Sequence, residues 1–270
     1  MKERLNNLSG KEWLQYSFSI WRDIKRGPMD NGESNPASFP VELPGRIIRI
    51  FTRLEDQVLD PFMGSGSTIV ASIIEGRNAV GIELSEKFYK EASKRTRSLS
   101  LESLSNPKIS TKLFHGNSME LEKFVEPNTI DLCVTSPPYW DVLNRKRSAD
   151  RKENVNYSDN KNDLGNETDY YKFLEKVGIV FSKVRLTLKD DGYCVVVVMD
   201  IRKGGTFYPF HSDLSRVMIK SGYELKDIII WDRQREYNNM RPLGFPYSFI
   251  VNKVHEYVLI FKRGENVEPA

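Results

Sequence analysis

The stretch Val58-Leu59-Asp60-Pro61-Phe62-Met63-Gly64-Ser65-Gly66-Ser67-Thr68 sets a short apolar run, two glycines and a helix start in immediate succession. That order predicts a strand turning sharply into a helix. Glycines at 64 and 66 accept positive φ and let a ligand approach the backbone. The carboxyl end of a strand is also where open α/β sheets bind ligands. Position 69 is Ile rather than the third glycine of the dinucleotide fingerprint, and no Lys follows the loop as a P-loop requires. The turn therefore predicts a ligand site that is not built around a phosphate.

Outward from this turn, short apolar runs alternate with amphipathic segments. Strands are expected at 58–59, 79–84, 110–114, 130–135, 193–199, 228–231 and 257–261, and helices at 69–76, 86–98, 169–188 and 211–221. Two more helices are expected upstream, at 11–26 and 41–54, the second with Pro44 tolerated in its first turn. Strand and helix alternating in this way predict an α/β fold, a doubly wound, mostly parallel sheet with helices on both faces. Two polar stretches interrupt the alternation, at 141–168 and 232–252, and loops of that length inside a compact domain are usually functional or disordered.

Composition sets the outer limits. The 270 residues carry 40 Lys and Arg against 37 Asp and Glu, a net charge of +3, with 39% hydrophobic and 11% aromatic residues. Such a chain is able to bury a sizeable core and is neither wholly disordered nor low in complexity. Its longest apolar run, Cys194 to Met199, is far short of the roughly 18 residues of a membrane span, so no membrane partner is expected. Met1-Lys2-Glu3-Arg4 leads into mixed polar sequence without an apolar signal core, and a cytoplasmic location is expected. Cys133 and Cys194 lie in apolar runs and read as buried hydrophobes. His115, His211 and His255 are scattered without ligand spacing, so no metal site is expected.

Two further features carry chemistry. Glu83 closes the strand after the glycine turn, where a carboxylate accepts hydrogen bonds from both hydroxyls of a ribose, each contributing roughly 1.5–3 kcal/mol. Asn117, in His115-Gly116-Asn117-Ser118, is placed to meet an adenine edge. A nucleoside ligand is implied. The strand 130–135 then runs into Ser136-Pro137-Pro138-Tyr139-Trp140, where two prolines remove two backbone donors and leave the carbonyls of Ser136 and Pro137 as rigid acceptors beside an aromatic pair. This platform suits a planar ring carrying an exocyclic amine. Tyr139 stacks on the ring, while the Ser136 hydroxyl and a backbone carbonyl accept the amino protons. Those bonds draw the nitrogen lone pair out of the ring and towards an electrophile.

On these residues the chain resembles the S-adenosylmethionine-dependent DNA methyltransferases that modify cytosine N4 or adenine N6. The family's cofactor loop is similar to Asp60, Pro61, Phe62, Gly64, Ser65, Gly66, Ser67 and Thr68, its ribose acid to Glu83, and its catalytic tetrad to Ser136-Pro137-Pro138-Tyr139. An upstream segment that covers the methionine end of the cofactor resembles 36–43, including Pro36, Ser38, Phe39 and Pro40. The chain departs from the family pattern at Asn35, where His is common, and at Asn117, where Asp is common. The cofactor loop precedes the tetrad, so the chain looks circularly permuted relative to one large branch.

The resemblance implies a Rossmann-like methyltransferase fold of about seven strands, the last antiparallel. It also implies a helical extension over 1–34 and one catalytic domain over 35–265, with the stretches 141–168 and 232–252 facing DNA. Double-stranded DNA is the implied partner, with a cognate restriction endonuclease as its companion in such systems, and the chain is expected to act as a monomer or homodimer. Phosphate contacts are expected from Arg145, Lys146 and Arg147, with Arg233, Arg235, Asn238, Asn239 and Arg241 supplying residues that read base edges. Ser at position 136 favours cytosine N4 by the family pattern. Adenine N6, an RNA or protein amide substrate, and a DNA-binding partner that has lost catalysis are the alternatives.

Overall fold

The computed structural model describes residues 4–30, 39–102, 109–141, 163–236 and 240–264. The elements run α1 (Gly10–Tyr16), β1 (Ile20–Trp21), α2 (Glu42–Phe51), β2 (Gln57–Asp60), α3 (Ser67–Ile74), β3 (Asn78–Glu83), α4 (Glu86–Glu102), β4 (Thr111–His115) and β5 (Ile130–Thr135). They continue with α5 (Tyr170–Thr187), β6 (Leu188–Val198), β7 (Ile201–Lys203), β8 (Thr206–Tyr208), α6 (Phe210–Lys220), β9 (Tyr223–Asp232) and β10 (His255–Arg263). Eight strands form one sheet in the order β1-β9-β10-β6-β5-β2-β3-β4. All neighbours are parallel except at β10, which runs antiparallel to both β6 and β9.

The winding explains where a ligand belongs. From β2 the chain moves outward through β3 to β4, then returns to place β5 on the other side of β2. The connections leaving β2 and β5 therefore diverge, and a crevice opens between their carboxyl ends. Alternation along the strands divides the core between the two faces of the sheet. In β6, Cys194, Val196 and Val198 pack with Phe173, Phe181 and Phe210 from α5 and α6, whereas Val195 and Val197 pack with Ile47, Ile69 and Ala92 from α2, α3 and α4. Cys133 and Cys194 are register neighbours, both buried and both free thiols. Capping sets the start of α5, where the Asp169 side chain accepts from the amides of Tyr171 and Lys172 at 2.9 Å each.

The structure departs from the expected elements at three places. The helix expected over 11–26 ends at Tyr16, capped by Ser17, and Ile20–Trp21 instead pair in parallel with Ile230 and Trp231 at the sheet edge. Trp21 is buried there, its ring nitrogen donating to the Tyr16 carbonyl at 3.1 Å, while Trp13, Leu14 and Phe18 are exposed. β6 begins five residues before the expected 193 and β9 five before the expected 228, because Leu188 and Tyr223, both buried, pair with Ile130 and Arg263, and the exposed polar residues after them interrupt the apolar run. The small β7–β8 hairpin, turning at Gly204-Gly205, lies outside the expected strands.

Gly66 caps α3 at φ +88°, and a Cβ there would lie 2.9 Å from the Ala92 Cβ. Gly66→Ala should cost about 1–3 kcal/mol, or several degrees of thermal midpoint at about 2–4 °C per kcal/mol. Gly10→Ala, which meets nothing within 4 Å, should leave the midpoint unchanged. Equal midpoints for the two variants by calorimetry would show that the turn is not tightly packed.

Candidate active site

The β2–α3 and β5 turns line one cleft of about 880 Å³, open to solvent. Its walls include Asp60 to Ser65, Ser67, Glu83, Asn117 and Ser136 to Tyr139, with Phe39 at one edge. These are the residues that the sequence assigned to two separate tasks, and the sheet brings them together. Gly66 and Thr68 support the wall from behind. Gly66 closes the turn with its amide on the Met63 carbonyl at 2.9 Å, and Thr68 is fully buried. Pro40 is also buried outside the lining, its carbonyl accepting from the Leu43 amide at 3.0 Å. Pro36, Ser38, Arg145, Lys146, Arg147, Asn238 and Asn239 lie outside the described residues.

A buried hydrogen bond joins the strand ends from which the two turns leave. Thr135, the last residue of β5, donates to Asp60 Oδ1, the last residue of β2, at 2.6 Å, and both are buried. Asp60 Oδ1 also accepts from the Phe62 amide at 3.0 Å, which sets the direction in which the chain leaves the strand. Burial pushes the Asp60 carboxyl up to about 6, against the downward pull of its bonds from Thr135, Thr68 and the Phe62 amide.

Glu83 holds the glycine turn open. Its Oε2 accepts from the Gly64 amide and its Oε1 from the Ser85 amide, each at 2.8 Å. A carboxylate has about four acceptor directions, so two remain for hydroxyl donors in the cleft. Burial pushes Glu83 up to about 7; the Ser85 and Gly64 amides oppose the shift, and nearby Asp60 and Asp163 add to it. Asn117 uses its side-chain oxygen to cap the following turn at the Met119 amide, 2.9 Å away, which leaves its amide N–H₂ as the group with donors to offer the cleft. The Ser118 hydroxyl donates to the Pro61 carbonyl and pins this turn to the first.

Across the cleft, the Ser136 hydroxyl lies 3.4 Å from the Tyr139 hydroxyl, which in turn donates to Glu256 Oε2 at 2.9 Å. Glu256, at the start of β10, is buried and paired with Arg233, whose guanidinium also meets Glu236 at 2.8 Å and covers the Trp231 ring at 4.7 Å. Arg233, expected to read DNA, is thus turned inward to the site. Arg235 and Arg241 are exposed. Glu256, Thr135 and Asp163 are among the site residues that the sequence did not single out. Glu256 is 117 positions from Tyr139, and no local pattern joins them. Among the described residues no group of three or more His, Cys, Asp or Glu is placed to hold a metal ion, and no helix is long and apolar enough to cross a membrane.

A family model described as DNA methylase matches residues 2–94 and 130–269. The chain is 42% identical over 90 residues to the type II methyltransferase M.BglI of Bacillus subtilis, covering 33% of this chain and 25% of that protein. It is 48% identical over 72 residues to the type II methyltransferase M.MjaI of Methanocaldococcus jannaschii, covering 27% and 23%. The matches therefore span about a quarter of the length of these relatives. An rRNA methylase structure from Streptococcus thermophilus superposes with a TM-score of 0.50 at 11% identity, over 84% of this chain and 98% of that one, a likeness of fold.

Two outcomes test the site. Thr135→Val leaves Asp60 buried without its shortest bond and should destabilise the protein by about 1–3 kcal/mol. The loss should be larger at pH 8, where Asp60 is ionised, than at pH 5; equal losses in denaturant titrations would separate the two groups. Hydroxyl donors favour ionised Glu83, so calorimetry should find S-adenosylmethionine binding about tenfold tighter at pH 8 than at pH 6. Glu83→Gln should weaken binding and flatten that dependence, and a slope kept in the variant would place its origin elsewhere.

Proposed function

Because the chain belongs to the N4/N6 DNA methylase family, we propose that it transfers a methyl group from S-adenosylmethionine to cytosine N4 in duplex DNA. The observation that carries the reading is the convergence of the glycine turn and the Ser136–Tyr139 turn on one cleft. The cofactor, when bound, supplies an electrophilic methyl on a positively charged sulfur. The fit of the cleft to such a molecule is chemical. Glu83 keeps acceptor directions for a ribose, Asn117 offers donors to a purine edge, and three carboxylates, Asp60, Glu83 and Asp163, make the cleft favourable to a cation.

The chain's own work is to hold the nitrogen. A base inside a duplex is out of reach of Tyr139, so the target is swung out of the stack at a cost of a few kcal/mol. Stacking on the Tyr139 ring offsets roughly 1–3 kcal/mol of that. Glu256 fixes the ring by accepting its hydroxyl proton, and Arg233 fixes Glu256. The Ser136 hydroxyl and the carbonyls beside the two prolines accept the amino protons, which directs the lone pair towards the electrophile. Once methylated the nitrogen is acidic, and its proton leaves to Ser136 or water. Ser rather than Asp or Asn at position 136 supports cytosine over adenine.

Purified protein incubated with plasmid DNA and the cofactor should yield N4-methylcytosine by mass spectrometry of the nucleosides. N6-methyladenine as the sole product would overturn the choice of base, and labelling of RNA or protein but not DNA would overturn the substrate. Tyr139→Ala should lose about 100-fold or more in turnover while keeping cofactor affinity; undiminished turnover would remove Tyr139 from the reaction.

A further inference from the structure

The connection from β9 to β10 carries a feature that the proposed chemistry leaves unused. Phe245, Tyr247 and Phe249 are 77%, 95% and 95% exposed within five residues, a concentration of aromatic surface that no described part of the chain covers. The segment is nevertheless built. The Tyr247 and Ser248 amides donate to the Gly244 carbonyl at 2.9 and 2.8 Å, and Asn252 closes the base on the Arg241 carbonyl at 3.0 Å. Gly244, at φ +77°, is so tightly enclosed that a Cβ would sit 2.2 Å from the Ser248 carbonyl oxygen.

Its position and charge say what it meets. The foot of the connection lies at the active site, where Arg233 pairs with Glu256 and Glu256 holds Tyr139. Residues 240–254 contain Arg241 and Lys253 and no acid. Lys253 lies 5.0 Å from the centre of the Phe207 ring on the β7–β8 hairpin, and Arg202 lies 5.6 Å from it. Exposed aromatic rings flanked by cations and free of acids are a surface that nucleic acid bases and phosphates recognise.

We propose that the 243–251 turn is a wedge that presents Phe245, Tyr247 and Phe249 to the bound DNA duplex, one ring entering the space left by the displaced target base and the others packing against the bases and backbone beside it. The proposal rests on the reading of the chain as a duplex DNA methyltransferase and adds the residues that lower the cost of base displacement. Aromatic or aliphatic side chains inserted between base steps offset the few kcal/mol of unstacking.

The test uses the full chain and a duplex carrying the site found by sequencing DNA that the wild type has modified. The variant Phe245→Ala/Tyr247→Ala/Phe249→Ala should lose about tenfold or more in kcat/KM on the paired duplex. It should recover most of that loss when an abasic site faces the target, because displacement then costs little. Cofactor affinity and thermal midpoint should match the wild type, since these rings touch neither the cleft nor the core. Equal losses on the two duplexes, or none on either, would overturn the wedge. So would normal kinetics accompanied by a loss of self-association in light scattering, which would make the turn an interface between copies of the chain. A wild type that methylates no duplex overturns the parent reading and this one with it, whereas an active wild type with indifferent variants overturns the wedge alone.

Discussion

The site rests on the parallel pairing of β2 with β5, which a buried hydrogen bond extends past the last paired residues, from Thr135 at the end of β5 to Asp60 at the end of β2. These residues are 75 positions apart and become neighbours only because the winding of the sheet reverses between their strands. Everything that follows Asp60 forms the glycine turn, and everything that follows Thr135 forms the Ser-Pro-Pro-Tyr turn. Fixing one residue against the other fixes the spacing of the two turns, and rigid strand ends hold that spacing better than loops do. A buried carboxyl is costly unless its lone pairs are used; here a hydroxyl and the Phe62 amide use them, so its polarity specifies a geometry.

Each wall of the cleft is then set by a second carboxylate. Glu83 accepts the Gly64 amide and so shapes the turn that it would share with a nucleoside, while Glu256 accepts the Tyr139 hydroxyl and orients the ring on which a base would stack. Arg233 joins Glu256 to the start of the β9–β10 connection, where the exposed aromatic turn sits.

Much of this architecture is legible in the amino-acid sequence. Strand followed by Gly-Ser-Gly and then helix, and strand followed by two prolines and an aromatic residue, are local signals, and β2, α3, β3 and β5 lie within two residues of their expected positions. The pattern misleads where tertiary contacts decide. Trp13, Leu14, Phe18 and Trp21 fit a helical period, yet only Trp21 is buried, because the chain straightens to pair with β9. The β7–β8 hairpin has its Gly204-Gly205 turn in plain view, but strands of three residues are too short to show alternation. Arg233 reads as a surface cation because its partners, Glu236 and Glu256, lie three and twenty-three positions on, and the second is brought close only by strand pairing.

The most direct test is a crystal structure grown with S-adenosylhomocysteine. We predict its ribose hydroxyls on Glu83, its adenine beside Asn117, and its sulfur facing the turn of Ser136 to Tyr139 across the cleft. A ligand bound elsewhere, or one in this cleft with its sulfur turned away from Tyr139, would contradict that prediction.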